Sequence, residues 1–139
     1  MAISLNHTII PARDRHASAT FLTEILGLPP HATLDPFAVV QVDDTTLDFM
    51  DTDGEIASLH YAFLVSDAEF DAIFGRIRDR RLSYWADPSR REPGRTNDWD
   101  GGRGVYFEDP SGHLLEVITR PYGSGVATGS NPHPLFSET

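Results

Sequence analysis

The sequence predicts an α+β fold made of two βαβββ modules, and three observations carry that reading. The chain repeats itself: a shift of 53 positions aligns His7 with His60, Asp14 with Asp67, Ala19 with Ala72 and Phe21 with Phe74. In each copy an apolar, strand-like run precedes a stretch whose apolar residues recur at helical spacing. Each copy also closes on a strand that holds a carboxylate among apolar neighbours, Thr46-Leu47-Asp48-Phe49 in the first and Leu114-Leu115-Glu116-Val117 in the second. The modules span about 1–56 and 57–122 and form one domain over 1–122. Residues 123–139, rich in Gly, Ser, Thr, Asn and Pro, read as a tail that orders only when docked.

In the first copy, Ile3 to Ile10 reads as a strand. Asp14 caps a helix whose Ala17, Phe21, Ile25 and Leu28 share a face, and Gly27 with Pro29-Pro30 stops it. Phe37 to Val42 and Thr45 to Met50 read as two strands joined at Asp43-Asp44, and Asp51-Thr52-Asp53-Gly54 is a polar break. The second copy restarts at Leu59 to Val65. Asp67 follows as a cap, with Phe70, Ile73, Phe74 and Ile77 on one helical face and Arg76, Arg78, Arg80 and Arg81 at a solvated end. The interval between the histidine and the carboxylate is longer here, and the extra residues fall between about Asp87 and Gly101, a stretch of Pro, Arg, Gly and Asn that reads as a loop. The chain closes with a hairpin: Val105-Tyr106-Phe107, the turn Asp109-Pro110-Ser111-Gly112, and Leu114 to Thr119.

Composition narrows the function classes. The net charge is −10 and all 11 basic residues are arginine. An acidic chain without a basic stripe argues against nucleic acid and anionic membranes as partners. No apolar run reaches the roughly 18 residues of a membrane span, and no secretory pattern opens the sequence, so a cytoplasmic setting is expected. The absence of cysteine removes disulfides, thiolate metal sites and thiol nucleophiles.

The residue that asks for an explanation is Glu116. A side-chain period of two places it on the face of Leu114 and Ile118, where a carboxylate is costly unless paired, hydrogen-bonded or bound to a metal. Two related modules bring corresponding strands together around a pseudo-twofold axis, so His7, His60 and Glu116 are expected to converge, with Asp48 as the fourth symmetric position. Two imidazoles and a carboxylate hold one divalent ion (Fe, Mn, Zn or Ni) and leave positions open for a substrate. A bland alternative has Glu116 paired with an arginine and no metal. Tyr106 lies across the hairpin from the Glu116 strand and is either a substrate-facing hydroxyl or a packed one. Arg103, beside Gly101, Gly102 and Gly104, reads as solvated or as an anion partner. His113 falls on the face opposite Glu116, toward solvent, and His16 and His133 show no partners.

These residues resemble the vicinal-oxygen-chelate superfamily of glyoxalase I, bleomycin- and fosfomycin-resistance proteins and extradiol dioxygenases. The resemblance covers roughly residues 3–122 and is most specific at Tyr106-Phe107-Glu108-Asp109-Pro110-Ser111-Gly112-His113-Leu114-Leu115-Glu116, which is similar to the family's closing hairpin. It implies a cupped mixed sheet with the helices outside it, His7, His60 and Glu116 as metal ligands, and homodimers. Glyoxalase I has a fourth ligand on the strand where Asp48 lies. The extradiol signature begins with an upstream histidine, where this chain has Asn97, Asp98 and Trp99.

The reading is therefore a divalent-metal-dependent enzyme acting on a small, oxygen-chelating substrate, with lyase, isomerase, transferase and dioxygenase chemistry all compatible and Asp48 or Tyr106 as candidate bases. The alternative is a binding or resistance protein of the same fold that sequesters a small natural product.

Overall fold

A computed structural model describes residues 2–125, 131 and 134. The chain divides into two compact units, Met1–Ser58 with Asp109–His113, and Leu59–Glu108 with Leu114–Thr139. Each contains one four-stranded mixed sheet and one α-helix, the βαβββ pattern twice over.

In the first unit, β1 (His7–Ala12) leads to α1 (Arg15–Leu26), then β2 (Ala32–Leu34), β3 (Phe37–Val42) and β4 (Thr45–Asp51). The sheet order is β1-β4-β3-β2, with β1 parallel to β4 and the other pairs antiparallel. Asp14 starts α1 because its carboxylate accepts the amides of His16 and Ala17 at 3.0 and 3.1 Å. Gly27 ends it in the left-handed region at φ 72°, its amide bonded to the Thr23 carbonyl. The buried stripe of α1 is Ser18, Ala19, Leu22, Thr23 and Ile25, rotated from the expected face so that Phe21 is only half-buried. Small Ser18 and Ala19 let the helix approach the sheet closely, and Ile10, Ala12, Ala38, Val40, Leu47 and Phe49 make up the core of this unit.

In the second unit, β5 (His60–Leu64) leads to α2 (Asp67–Asp79), β6 (Tyr84–Trp85), a 3₁₀ turn (Trp99–Gly101), β7 (Gly104–Glu108) and β8 (Leu114–Ile118). Its sheet order, β5-β8-β7-β6, reproduces the first, again with the first and last strands parallel. The helix cap is Ser66 rather than Asp67: Ser66 Oγ accepts the Glu69 amide at 3.1 Å, and Glu69 Oε1 accepts the Ser66 amide at 2.9 Å. Asp67 instead binds Arg103, which also donates to Asp71 at 2.6 Å and lies 4.6 Å over the Phe70 ring. Phe70, Ile73 and Ile77 are buried, while Phe74 meets the Tyr84 ring edge-on at 5.1 Å.

Three further expectations of the fold need correction. The first strand begins at His7 rather than Ile3, and Ile3 and Leu5 stand exposed. The Asp87–Gly101 stretch is less irregular than expected, for it ends in the 3₁₀ turn, and Asn97 exchanges backbone hydrogen bonds with Gly104 at 2.9 and 3.0 Å. His113 is 1% exposed, not solvated. It precedes β8 rather than lying on it, so strand parity does not govern it. Its Nε2 is 2.8 Å from the Pro11 carbonyl, and its amide donates to Asp109 at 2.8 Å. No helix among the described residues is long and apolar enough to cross a membrane.

Replacing Ser66 with Ala is expected to cost about 1 kcal/mol and to lower Tm by about 2–4 °C, read by thermal and urea unfolding. The hydrogen bond from the Ser66 amide holds the Glu69 carboxyl below its ordinary value. That contribution is present above the ordinary carboxylate pKa and lost as pH falls through the depressed folded value. The stability difference between wild type and Glu69→Ala should therefore close on moving from neutral to acid pH.

Candidate functional site

The period of two and the parallel register build the site in the second unit. Across β5 and β8, Ala62 sits opposite Glu116, so His60, two residues before Ala62, shares that face. Tyr106 is directly opposite Glu116 on β7. Phe63, Leu115 and Val117 occupy the other face and are buried. His60, Glu116 and Tyr106 are therefore placed together by backbone pairing, before any side chain adjusts.

Glu116 is only 4% exposed. Its Oε1 lies 3.2 Å from His60 Nε2, and Tyr106 faces it directly across the β7–β8 pair. Its Oε2 is buried with no hydrogen-bond partner. His60 is oriented from behind: Nδ1 lies 2.9 Å from the Leu114 carbonyl. A carbonyl only accepts, so Nδ1 carries the proton and the neutral ring turns its Nε2 lone pair toward Glu116. Two acceptors then face each other, an arrangement completed by a proton on the ring or by a cation between them.

The Tyr106 phenol is pushed far above its ordinary value, first by burial and then by the Glu116 carboxylate beside it. It stays protonated. Its ring stacks on His60 at 5.9 Å and 22° and meets Trp99 edge-on at 6.1 Å. These groups open into a concavity of about 460 Å³ whose other walls are Ala62, Pro88, Ile118 and Tyr122. Among the described residues the imidazole is the one basic side chain that lines it, and Arg103 is engaged by Asp67 and Asp71.

The remaining two predicted residues lie in the first unit, and their placement repeats the pattern. Ile9 is opposite Asp48 on β1 and β4, so His7 and Asp48 share the face turned away from Ile10, Leu47 and Phe49. His7 Nδ1 lies 2.7 Å from the Asn6 side-chain oxygen, so with the amide in this orientation the ring has the same tautomer as His60. One oxygen of Asp48, Oδ1, is buried without a hydrogen-bond partner, the counterpart of Glu116 Oε2. Among the described residues no three His, Cys, Asp or Glu side chains form a metal-holding cluster.

The chemistry of the donors nonetheless fits a divalent ion in the second unit: an anionic oxygen with an open valence, beside an imidazole nitrogen held in the ligating tautomer by a carbonyl behind it. Pro88 and Tyr122 line the site and are residues that the sequence did not single out. They come from the loop and from the stretch after β8, where no periodicity points at a face. His16, expected without a partner, places its Nδ1 3.1 Å from His31 Nε2. His133 lies outside the described residues.

Comparison with known proteins agrees with this architecture. The Glyoxalase/Bleomycin resistance protein/Dioxygenase superfamily matches residues 4–117. The solved structure of oxidase ChaP-H1 is 61% identical, covering 88% of this chain and 99% of its own, with a TM-score of 0.86. That of oxidase ChaP-H2 is 56% identical, covering 90% and 99%, with a TM-score of 0.87. The glutathione transferase FosA of Serratia marcescens is 29% identical over 124 residues, 84% of this chain and 81% of its own. All three are named enzymes, and enzymatic function is what they support here. With the family match spanning both βαβββ units, the chain belongs to the Glyoxalase/Bleomycin resistance protein/Dioxygenase superfamily.

Proposed function

We propose that the chain is a divalent-metal-dependent oxidase acting on a small molecule that presents two adjacent oxygens, with His7, His60 and Glu116 as metal ligands. The observation that carries this reading is the buried Glu116 carboxylate, whose Oε2 lacks a hydrogen-bond partner beside the Nε2 face of His60. A buried acceptor left unmatched costs about 1–3 kcal/mol, a cost that a ligating role explains. His7 is proposed on the repeat: it has the same strand position, the same tautomer lock and the same offset from a carboxylate strand as His60. Oxidation is favoured over lyase, isomerase or transferase chemistry by the 61% identity to an oxidase.

A bound Fe, Mn, Zn or Ni ion supplies Lewis acidity toward chelating oxygens and, as iron, dioxygen activation. The chain's own residues do the rest. Tyr106 donates a hydrogen bond toward charge that develops on a substrate oxygen, since its proton is held firmly. Asp48, with its unmatched Oδ1, is the proton acceptor. The walls formed by Ala62, Pro88 and Ile118 exclude water and suit the carbon framework of a substrate. A homodimer in the cytoplasm completes the proposal. The exposed apolar side chains of Ile3, Leu5, Leu34 and Leu64 support the dimer, and composition alone supports the setting.

Protein purified without chelator should carry about one divalent ion per chain by elemental analysis, and Glu116→Ala and His60→Ala should each weaken metal binding by at least roughly tenfold. Absence of metal from all three proteins, even after anaerobic reconstitution, would sink the enzyme reading and promote a binding protein of the same fold. Tyr106→Phe and Asp48→Asn are expected to retain the metal while oxygen consumption with the substrate falls by about 10²–10⁴. Loss of metal in Tyr106→Phe would show instead that the phenol serves only to hold Glu116.

A further inference from the structure

One wall of the concavity comes from an unexpected place. Tyr122 lies four residues beyond the end of β8 and lines the pocket. The segment just after it is bonded to the carboxylate of Asp100. Asp100 is 3% exposed; its Oδ2 accepts the Gly123 amide at 3.1 Å and its Oδ1 accepts the Gly125 amide at 2.9 Å. Both oxygens of a buried anion are thereby matched by backbone donors of the tail.

Three further features fit Asp100 to this task. Its backbone is left-handed (φ 59°), a conformation that aspartate tolerates better than most residues. The tail approaches so closely that a Cβ on Gly125 would lie 2.6 Å from Asp100 Cα and 3.0 Å from its Oδ1, so only glycine fits. Asn131 adds to the fastening, since its carbonyl accepts the Asp100 amide and its Nδ2 donates to Asp98 Oδ1 at 2.8 Å. The same 3₁₀ turn carries Trp99, whose ring meets Tyr106 edge-on, so one short element contacts both the tail and a phenol that lines the pocket.

We propose that Asp100 is a positioning residue that latches residues 122–125 and so holds Tyr122 as a substrate-contacting wall of the His60–Tyr106–Glu116 concavity. The role rests on reading that concavity as the substrate site. Asp100 acts through Tyr122 and sets how tightly the substrate is held, whereas the chemical step belongs to the residues of the opposite wall. An asparagine in its place keeps the shape but turns an amide group toward a backbone N–H that needs an acceptor.

The test compares wild type with Asp100→Asn, Gly125→Ala, Tyr122→Ala and the double variant Asp100→Asn/Tyr122→Ala. Hydrogen exchange of the peptide covering 122–125 should be about tenfold faster or more in Asp100→Asn and Gly125→Ala than in wild type. 4-Nitrocatechol, a probe with two adjacent oxygens, is titrated into metal-free and metal-reconstituted protein and read by quenching of tryptophan fluorescence. Each single variant should bind it about fivefold more weakly, and the double variant no more weakly than Tyr122→Ala, with metal content unchanged throughout. Unchanged exchange in Asp100→Asn, or additive losses in the double variant, would overturn the latch. The failures of the two proposals are separable. A wild type that takes no metal but binds the probe, with the same non-additive losses, sinks the oxidase and keeps the latch. A wild type that binds no probe in either form overturns the positioning role.

Discussion

A buried carboxylate with one unmatched oxygen governs the second unit. Glu116 is 4% exposed, on a strand whose neighbours Leu115 and Val117 are fully committed to apolar packing. Burying a charge of this kind is unfavourable unless its surroundings supply compensation. Much of what encloses it does so: the His60 imidazole faces it, the Leu114 carbonyl fixes the tautomer of that imidazole, and Tyr106 lies directly across from it on β7. The remaining Oε2 is the place where the compensation stops within the protein. A core of hydrophobic residues alone would be more stable there, so the arrangement is better explained by chemistry than by folding.

The register of parallel strands is the device that places these groups, and the protein uses it twice. In each unit a histidine opens the first strand, and the residue two positions on pairs with a carboxylate on the last strand. The histidine is locked from its Nδ1 side in both cases, by Asn6 in one and by the Leu114 carbonyl in the other. A carboxylate oxygen is left buried and unmatched in both. A one-residue slip in either pair would turn the imidazole and the carboxylate to opposite faces. The apolar residues on the far side, Ile10 and Phe49 in the first unit and Phe63 and Val117 in the second, make such a slip costly and so protect the site.

Elements built by periodicity differ from those built by contact. β3 was legible to the residue, because Phe37 to Val42 combines β-branched character with flanking turn signals. The sequence places Tyr106 across the hairpin from the Glu116 strand, and the register of the formed sheet sets it directly opposite Glu116. Strand β2 was missed, since Ala32–Leu34 is short and fully exposed, with no alternation to read. The stripe of α1 was misjudged by about one position, because the sheet selected small Ser18 and Ala19 over the larger Phe21. Asp67 reads as a cap in the sequence because its carboxylate is adjacent to Ser66, which does the capping, and its own role is set by Arg103, distant in sequence.

The sequence by itself determined the two-module plan, the strand positions of His7, Asp48, His60 and Glu116, and the parity that puts each on a chosen face. All of these follow from local propensity and from a period of two, which a chain carries without knowing its neighbours. Only the tertiary structure decided that His113 is buried against the Pro11 carbonyl, that Arg103 is occupied by Asp67 and Asp71, and that Tyr122 completes a pocket through Asp100. Those outcomes depend on close approaches between residues far apart in the chain. No spacing encodes them, because each is set by which surfaces meet once the sheets have formed.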